Sequence, residues 1–357
     1  MAAKTSDKER YVAYVGTYTH TKSVGIYVYD VNPETGVLTE KSIAPVNNPS
    51  NLTISHSGKF LYSIADEGVT AFKILEDGNL EQINTVWNGG MRSCYVRCDD
   101  EDRYLFTAGY HDGRVTMMKI NEDGSVGDVT DGIFHQGIGR SVAEKKLDPH
   151  VTCVEMTPDN KFLCAVDSGL HQMKIYDIDY QRGKLKIIDI VRTEMDAGPR
   201  NVRFSADGKF AYLLTEHSNE IYVYEYSCKN GNPEFEKIQV IPILHKADDE
   251  ISSGTNIKIS KDGEFVFTSV DGLNAVVMFR RDQQTGMLSH LKATAISGDY
   301  PKSFAIIPGG KYYVSLNHDS NEIRCFTIDY EKGHNLMINP PIKINQPNCI
   351  QIHKLVD

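Results

Sequence analysis

One phrase recurs along this chain with its spelling changed each time: Pro-x-x-apolar-x-apolar-Ser-x-x-Gly-Lys-Phe-apolar-Tyr. It reads PSNLTISHSGKFLYSI from Pro49, RSCYVRCDDEDRYLFTA from Arg92 and VTCVEMTPDNKFLCAV from Val151. It returns as PRNVRFSADGKFAYLL from Pro199, GTNIKISKDGEFVFTS from Gly254 and PKSFAIIPGGKYYVSL from Pro301. Aligned on the charged residue before the aromatic, the anchors are Lys59, Arg103, Lys161, Lys209, Glu264 and Lys311, at steps of 44, 58, 48, 55 and 47 residues. Self-similarity at this period marks a repeat architecture, and a unit of this size holding four short strands is a propeller blade.

Each phrase supplies strand, turn and strand. A third alternating stretch follows (VTAFKI, VTMMKI, MKIYDID, IYVYEY, AVVMFRR, EIRCFTID), rich in Val, Ile, Tyr and Phe. Turns such as ILEDGNLEQ and DQQTGMLSH then lead to an outer strand, their Gly supplying the positive φ that tight hairpins need. The termini complete a seventh unit. QPNCIQIHKL matches a first strand, ERYVAYVGTYT a second, and VGIYVYDV and VLTEKSI the remaining two. The expected fold is all-β, a seven-bladed β-propeller with one blade closed by N- and C-terminal strands, and residues 1–357 form a single domain. Pairing the terminal strands removes the open edges that a sheet must otherwise protect. Two insertions, residues 131–147 and 245–252, precede inner strands and are expected at the site rim.

The net charge of −10 carries no basic block, so nucleic acid is not an expected partner. No apolar run reaches the roughly 20 residues of a membrane span, and no secretory h-region opens the chain. Seven cysteines without CxxC pairing suit a reducing cytoplasm. HxH, HExxH, GxSxG, P-loop and GxGxxG patterns are all missing, so neither metal nor cofactor is expected.

A propeller places equivalent positions around one axis. Nine residues before each anchor, where the inner strand enters the channel, stand Ser50, Cys94, Thr152, Arg200, Thr255 and Lys302, with Asn348 the seventh. Seven residues after it stand Asp66, Tyr110, Ser168, Glu216, Asp271 and His318, with Thr17 the seventh. Thirteen of these fourteen are polar, ionisable or hydroxyl-bearing, where strand positions are usually apolar. Charges gathered at a concave mouth cost desolvation unless they pair or bind something. Glu216, Arg200 and His150 are therefore the candidate catalytic groups, and Lys302, Tyr110, Asp167, Asp271, Asp66 and His318 the candidate substrate contacts. Glu216 suits a base, Arg200 a fork for an oxyanion or carboxylate, and His150 a proton partner.

YVGTYTHTKSVGIYVYDVNPETGVLT, PSNLTISHSGKFLYSI and DAGPRNVRFSADGKFAYLLTEHSNEIYVYEY resemble the lactonase family of seven-bladed propellers. That family includes propeller-type 6-phosphogluconolactonases and a carboxymuconate-lactonizing enzyme. The resemblance runs end to end and implies hydrolysis of a small-molecule sugar lactone, with Arg200 and Glu216 functional. Isomerisation, cyclisation or elimination on a related acid would use the same parts, and a non-catalytic binding propeller is the third reading. The resemblance also implies a His at Thr152, an Arg at Asp271 and a Glu at Asn256, and this chain departs from it at all three.

Overall fold

The computed structural model describes residues 9–137, 148–244 and 252–355. These form seven four-stranded sheets, each an antiparallel meander, with no helix among the described residues. The strand Pro347–Lys354 pairs with Tyr11–Thr17, which continues into Gly25–Asn32 and Val37–Pro45, so one sheet joins both ends of the chain. We call this blade 1. Blades 2 to 7 begin with the inner strands Leu52–Ile54, Tyr95–Cys98, Val151–Met156, Pro199–Phe204, Ser253–Ile259 and Pro301–Ile306.

Each letter of the recurring phrase has a physical reason. The Gly position, just before the anchor, has positive φ in all six copies: Gly58, Gly208, Gly263 and Gly310, with Asp102 and Asn160 where glycine is missing. Asn and Asp are the side chains that tolerate this region best. The Ser position closes the same turn. Ser55, Thr157, Ser205 and Ser260 accept the backbone N–H of the aromatic five residues on, each at 3.0 Å, and Asp99 accepts that of Tyr104 at 2.8 Å. Such side chains hold a turn that the ladder alone leaves open. The final Tyr locks blade to blade. Tyr14, Tyr62 and Tyr212 donate to Gly78, Gly124 and Gly286 in the outer hairpin of the following blade, at 2.9, 3.1 and 2.9 Å.

The apolar core lies between blades rather than inside one sheet. Val15 and Tyr29 of blade 1 share a buried cluster with Val314 and Leu316 of blade 7. Phe210 and Leu214 of blade 5 share another with Val266 and Val277 of blade 6. One expectation is corrected here. Residues 131–134, assigned to an insertion, end the outer strand Val126–Phe134 of blade 3, because they continue its ladder with residues 114–117. Most of both insertions, residues 138–147 and 245–251, lies outside the described residues.

Candidate active site

Five inner strands carry a register break at the same place. Val151 and Cys153 face consecutive partners on the next strand, so Thr152 is the extra residue of a bulge. Arg200, Thr255, Lys302 and Asn348 are the extra residues in their own strands. A bulged residue leaves the ladder and re-aims its side chain. These are the residues nine before each anchor, and all seven members of that ring line a cavity of about 380 Å³ at the channel mouth. Tyr110 and Glu216, from second-strand ends, reach it as well.

Part of the ring is stitched together. The Cys94 thiol donates to the carbonyl of Val151 at 3.4 Å, and the Thr152 hydroxyl to that of Arg200 at 2.8 Å. Arg200 Nε donates to the Thr255 carbonyl at 3.0 Å, and the Thr255 hydroxyl to that of Pro301 at 2.6 Å. The run stops there. The Ser50 hydroxyl and both polar atoms of the Asn348 amide are buried without a partner, and they border the cavity. Orphaned polar atoms of this kind point to an occupant, since leaving them unpaired costs about 1–3 kcal/mol each.

The two halves also differ in charge. Arg200 is bonded through Nη1 to the Glu216 carboxylate, which is 9% exposed. Tyr110 stacks on His150 with ring centroids 4.4 Å apart, and burial together with the Glu216 charge holds its phenol above the ordinary range. His150 Nδ1 donates to the Tyr110 carbonyl at 2.8 Å, which leaves Nε2 as the basic nitrogen. Across the cavity, the Lys302 ammonium lies 4.6 Å from the Tyr18 ring centre and 5.6 Å from that of Tyr300. No described carboxylate pairs with it, and burial lowers it from the usual lysine value.

His150, stacked behind Tyr110, and four expected contacts stand back from the cavity lining. Asp66 pairs with Arg92 at 3.0 Å and accepts from Asn48 at 2.6 Å. Asp271 caps the N–H of Gly272 at 2.8 Å, and its charge acts on the Tyr300 phenol. His318 sits edge-on between Tyr18 and Tyr300, bonded to Asp319 at 2.7 Å, with a buried and unpartnered Nε2. Asp167 is placed in the wall rather than against a substrate. It is fully buried, accepts the N–H groups of His150 and Leu170 at 2.9 Å, and pairs with His135 Nδ1 at 2.6 Å. Tyr176 closes that chain on His135 Nε2 at 2.9 Å. Tyr18 and Tyr300 also line the cavity, although neither is a member of the two aligned rings. They sit one and two residues outside the two aligned rings, so widening each ring would have found them. No three metal-ligating side chains converge among the described residues.

Four buried or partly buried histidines give a pH expectation. Burial lowers His135, His171, His318 and His353 from their ordinary value of 6.5. The unfolded chain then takes up these protons first. The histidine contribution to stability is full above pH 6.5 and is lost as pH falls below it, by up to one proton's linkage per histidine. Thermal melts should fall steadily between about pH 6.5 and 5. A Tm that rose over that lower interval would contradict the assignment.

A family model described as lactonase, 7-bladed beta-propeller, matches residues 12–352. The chain belongs to this family. It is 30% identical to the 6-phosphogluconolactonase of Bacillus subtilis over 355 residues, covering 96% of this chain and 98% of that one. The crystal structure of a putative 6-phosphogluconolactonase from Bacteroides fragilis superposes with a TM-score of 0.88 at 30% identity, covering all of both chains. A periplasmic gluconolactonase from Pseudomonas aeruginosa gives 0.89 at 26%, covering 97% of this chain and all of the other. At Thr152, where the family resemblance implies histidine, the hydroxyl instead anchors the Arg200 backbone. Asn256 lines the cavity and donates to Ser303 at 3.2 Å.

Proposed function

We propose that this protein is a lactonase that opens the ring ester of a sugar lactone. The observation that carries this reading is the Arg200–Glu216 pair, set on the cavity wall of a chain that belongs to the lactonase family along nearly its whole length. The names of the relatives, 6-phosphogluconolactonase and gluconolactonase, support the substrate class. Water attacks the carbonyl carbon while Glu216 accepts its proton. The second terminal nitrogen of Arg200 faces the developing oxyanion, and the ring C–O bond breaks as His150 Nε2, in its protonated form, gives a proton to the leaving alkoxide. The product is the open hydroxy acid.

Arg200 is neutralised by Glu216, whereas Lys302 has no anion beside it. An anionic end of the substrate therefore belongs at the Lys302, Asn348 and Ser50 side of the cavity. We also place the protein in the cytoplasm, a setting that fits its seven unpaired thiols.

Acid release from glucono-δ-lactone and its 6-phosphate tests the reading. Both should open well above the buffer rate. K302M should raise KM for the phosphorylated lactone by about tenfold or more and change KM for the neutral one much less, as loss of one charge-assisted contact implies. Hydrolysis of neither lactone, with turnover of an unsaturated or cyclic acid instead, would overturn it.

A further inference from the structure

The six-before-anchor position forms a second ring of residues, deeper in the channel: Thr53, Arg97, Glu155, Arg203, Lys258, Ala305 and Gln351. It lies three residues along the inner strands from the cavity wall, within about 10 Å at the usual rise. Four consecutive blades contribute charges to it. Glu155, 7% exposed, is gripped from both sides, by Arg97 Nε at 2.8 Å and Arg203 Nη1 at 3.1 Å. Arg203 Nη2 donates to the Tyr95 hydroxyl at 2.7 Å, and Tyr95 is part of the cavity floor. Lys258 stands beside this triad, half-buried, and no described carboxylate pairs with it. Its surroundings push it down to about 8, first through burial and then through the charges of Arg203 and Arg97.

The ring thus holds three cations and one carboxylate, in a chain whose net charge is −10. Cations confined in a narrow shaft are costly unless a counter-charge joins them. The single carboxylate is already shared by two guanidinium groups, so the deficit falls at Lys258. Arg97 is 36% exposed, so solvent reaches the ring.

We propose that Arg97, Arg203 and Lys258 form an oxyanion site on the propeller axis, beneath the cavity floor and distinct from the Arg200–Glu216 pair. It does not depend on the lactonase reading. Its ligand is a free phosphate ion or the phosphate end of a sugar acid lying in the cavity above, which present the same chemistry to the ring.

Calorimetric titration of inorganic phosphate into the full chain, in chloride buffer of matched ionic strength, tests the site. Saturable binding is expected, weakened at least tenfold in K258M and retained in K258R, with near-UV circular dichroism confirming that both variants are folded. Phosphate should also raise Tm more than chloride does, and K258M should remove that difference. Titrating 6-phosphogluconate and gluconate separates the sources. If K258M weakens 6-phosphogluconate but not gluconate, the sugar's own phosphate reaches the ring. If it weakens inorganic phosphate alone, the ligand is the free ion. No saturable binding to the wild type, undiminished binding to K258M, or binding lost in K302M while K258M keeps it, would overturn the proposal.

Discussion

Glu216→Gln should lower kcat/KM for a sugar lactone by about a hundred- to ten-thousand-fold, the range that loss of a positioned general base produces. The substitution is chosen for its shape. The amide keeps the volume of the carboxylate and still offers an oxygen to Arg200, which remains held by the Thr255 carbonyl. The fold should therefore survive, with Tm lowered by a few degrees at most. The split between parameters matters as much as the size. A base acting only in the transition state should be lost from kcat with KM little moved, whereas loss of a merely structural pair should raise KM or lower the folded fraction. Full activity in E216Q would remove Glu216 from the mechanism and leave His150 as the candidate for the same task.

The largest effect on stability should come from Glu155→Leu. Glu155 is the one carboxylate of the axial ring, so its removal leaves Arg97, Arg203 and Lys258 facing one another in a narrow channel. Breaking a buried pair by deleting one partner costs about 3–5 kcal/mol, because the remaining charge stays desolvated. Arg97 is partly solvated and Arg203 much less so, so urea denaturation should place the loss toward the lower end of that range. Removing a neighbouring cation as well, in E155L/K258M, should recover part of it. If E155L melted like the wild type, the ring would be hydrated well enough to need no internal counter-charge.

The recurring phrase made the fold legible, because its Gly, Ser and Tyr each answer a local geometric demand: the turn recurs in six blades, its side-chain cap in five and the Tyr lock in three. The seventh blade was legible for the same reason, from two half-phrases at opposite ends. The phrase also located the cavity wall, since all seven residues nine before the anchors line it. What it hid was the reason. Thr152 and Glu155 are three residues apart, an odd spacing that an unbroken strand would send to opposite faces. The bulge at Thr152 shifts the parity so that both turn to the axis, and no residue in VTCVEM marks it. Partners were hidden as well. Asp167 adjoins the ring at Ser168, yet its carboxylate is claimed by His135, at a position the other blades fill with residues such as Val46, Thr193 and Ile243. Pairings between non-repeating residues are invisible to an alignment of repeats.

The bulge also separates two demands that strands usually impose together. Thr152, Arg200, Thr255, Lys302 and Asn348 take no place in the ladder, so exchanging their side chains leaves the register of the flanking pairs untouched. A threonine can then occupy the slot where relatives are expected to carry histidine, without disturbing the blade that holds it. The cavity wall behaves as a rack of interchangeable sockets mounted on a fixed frame, which makes these positions the natural targets for redesigning its chemistry.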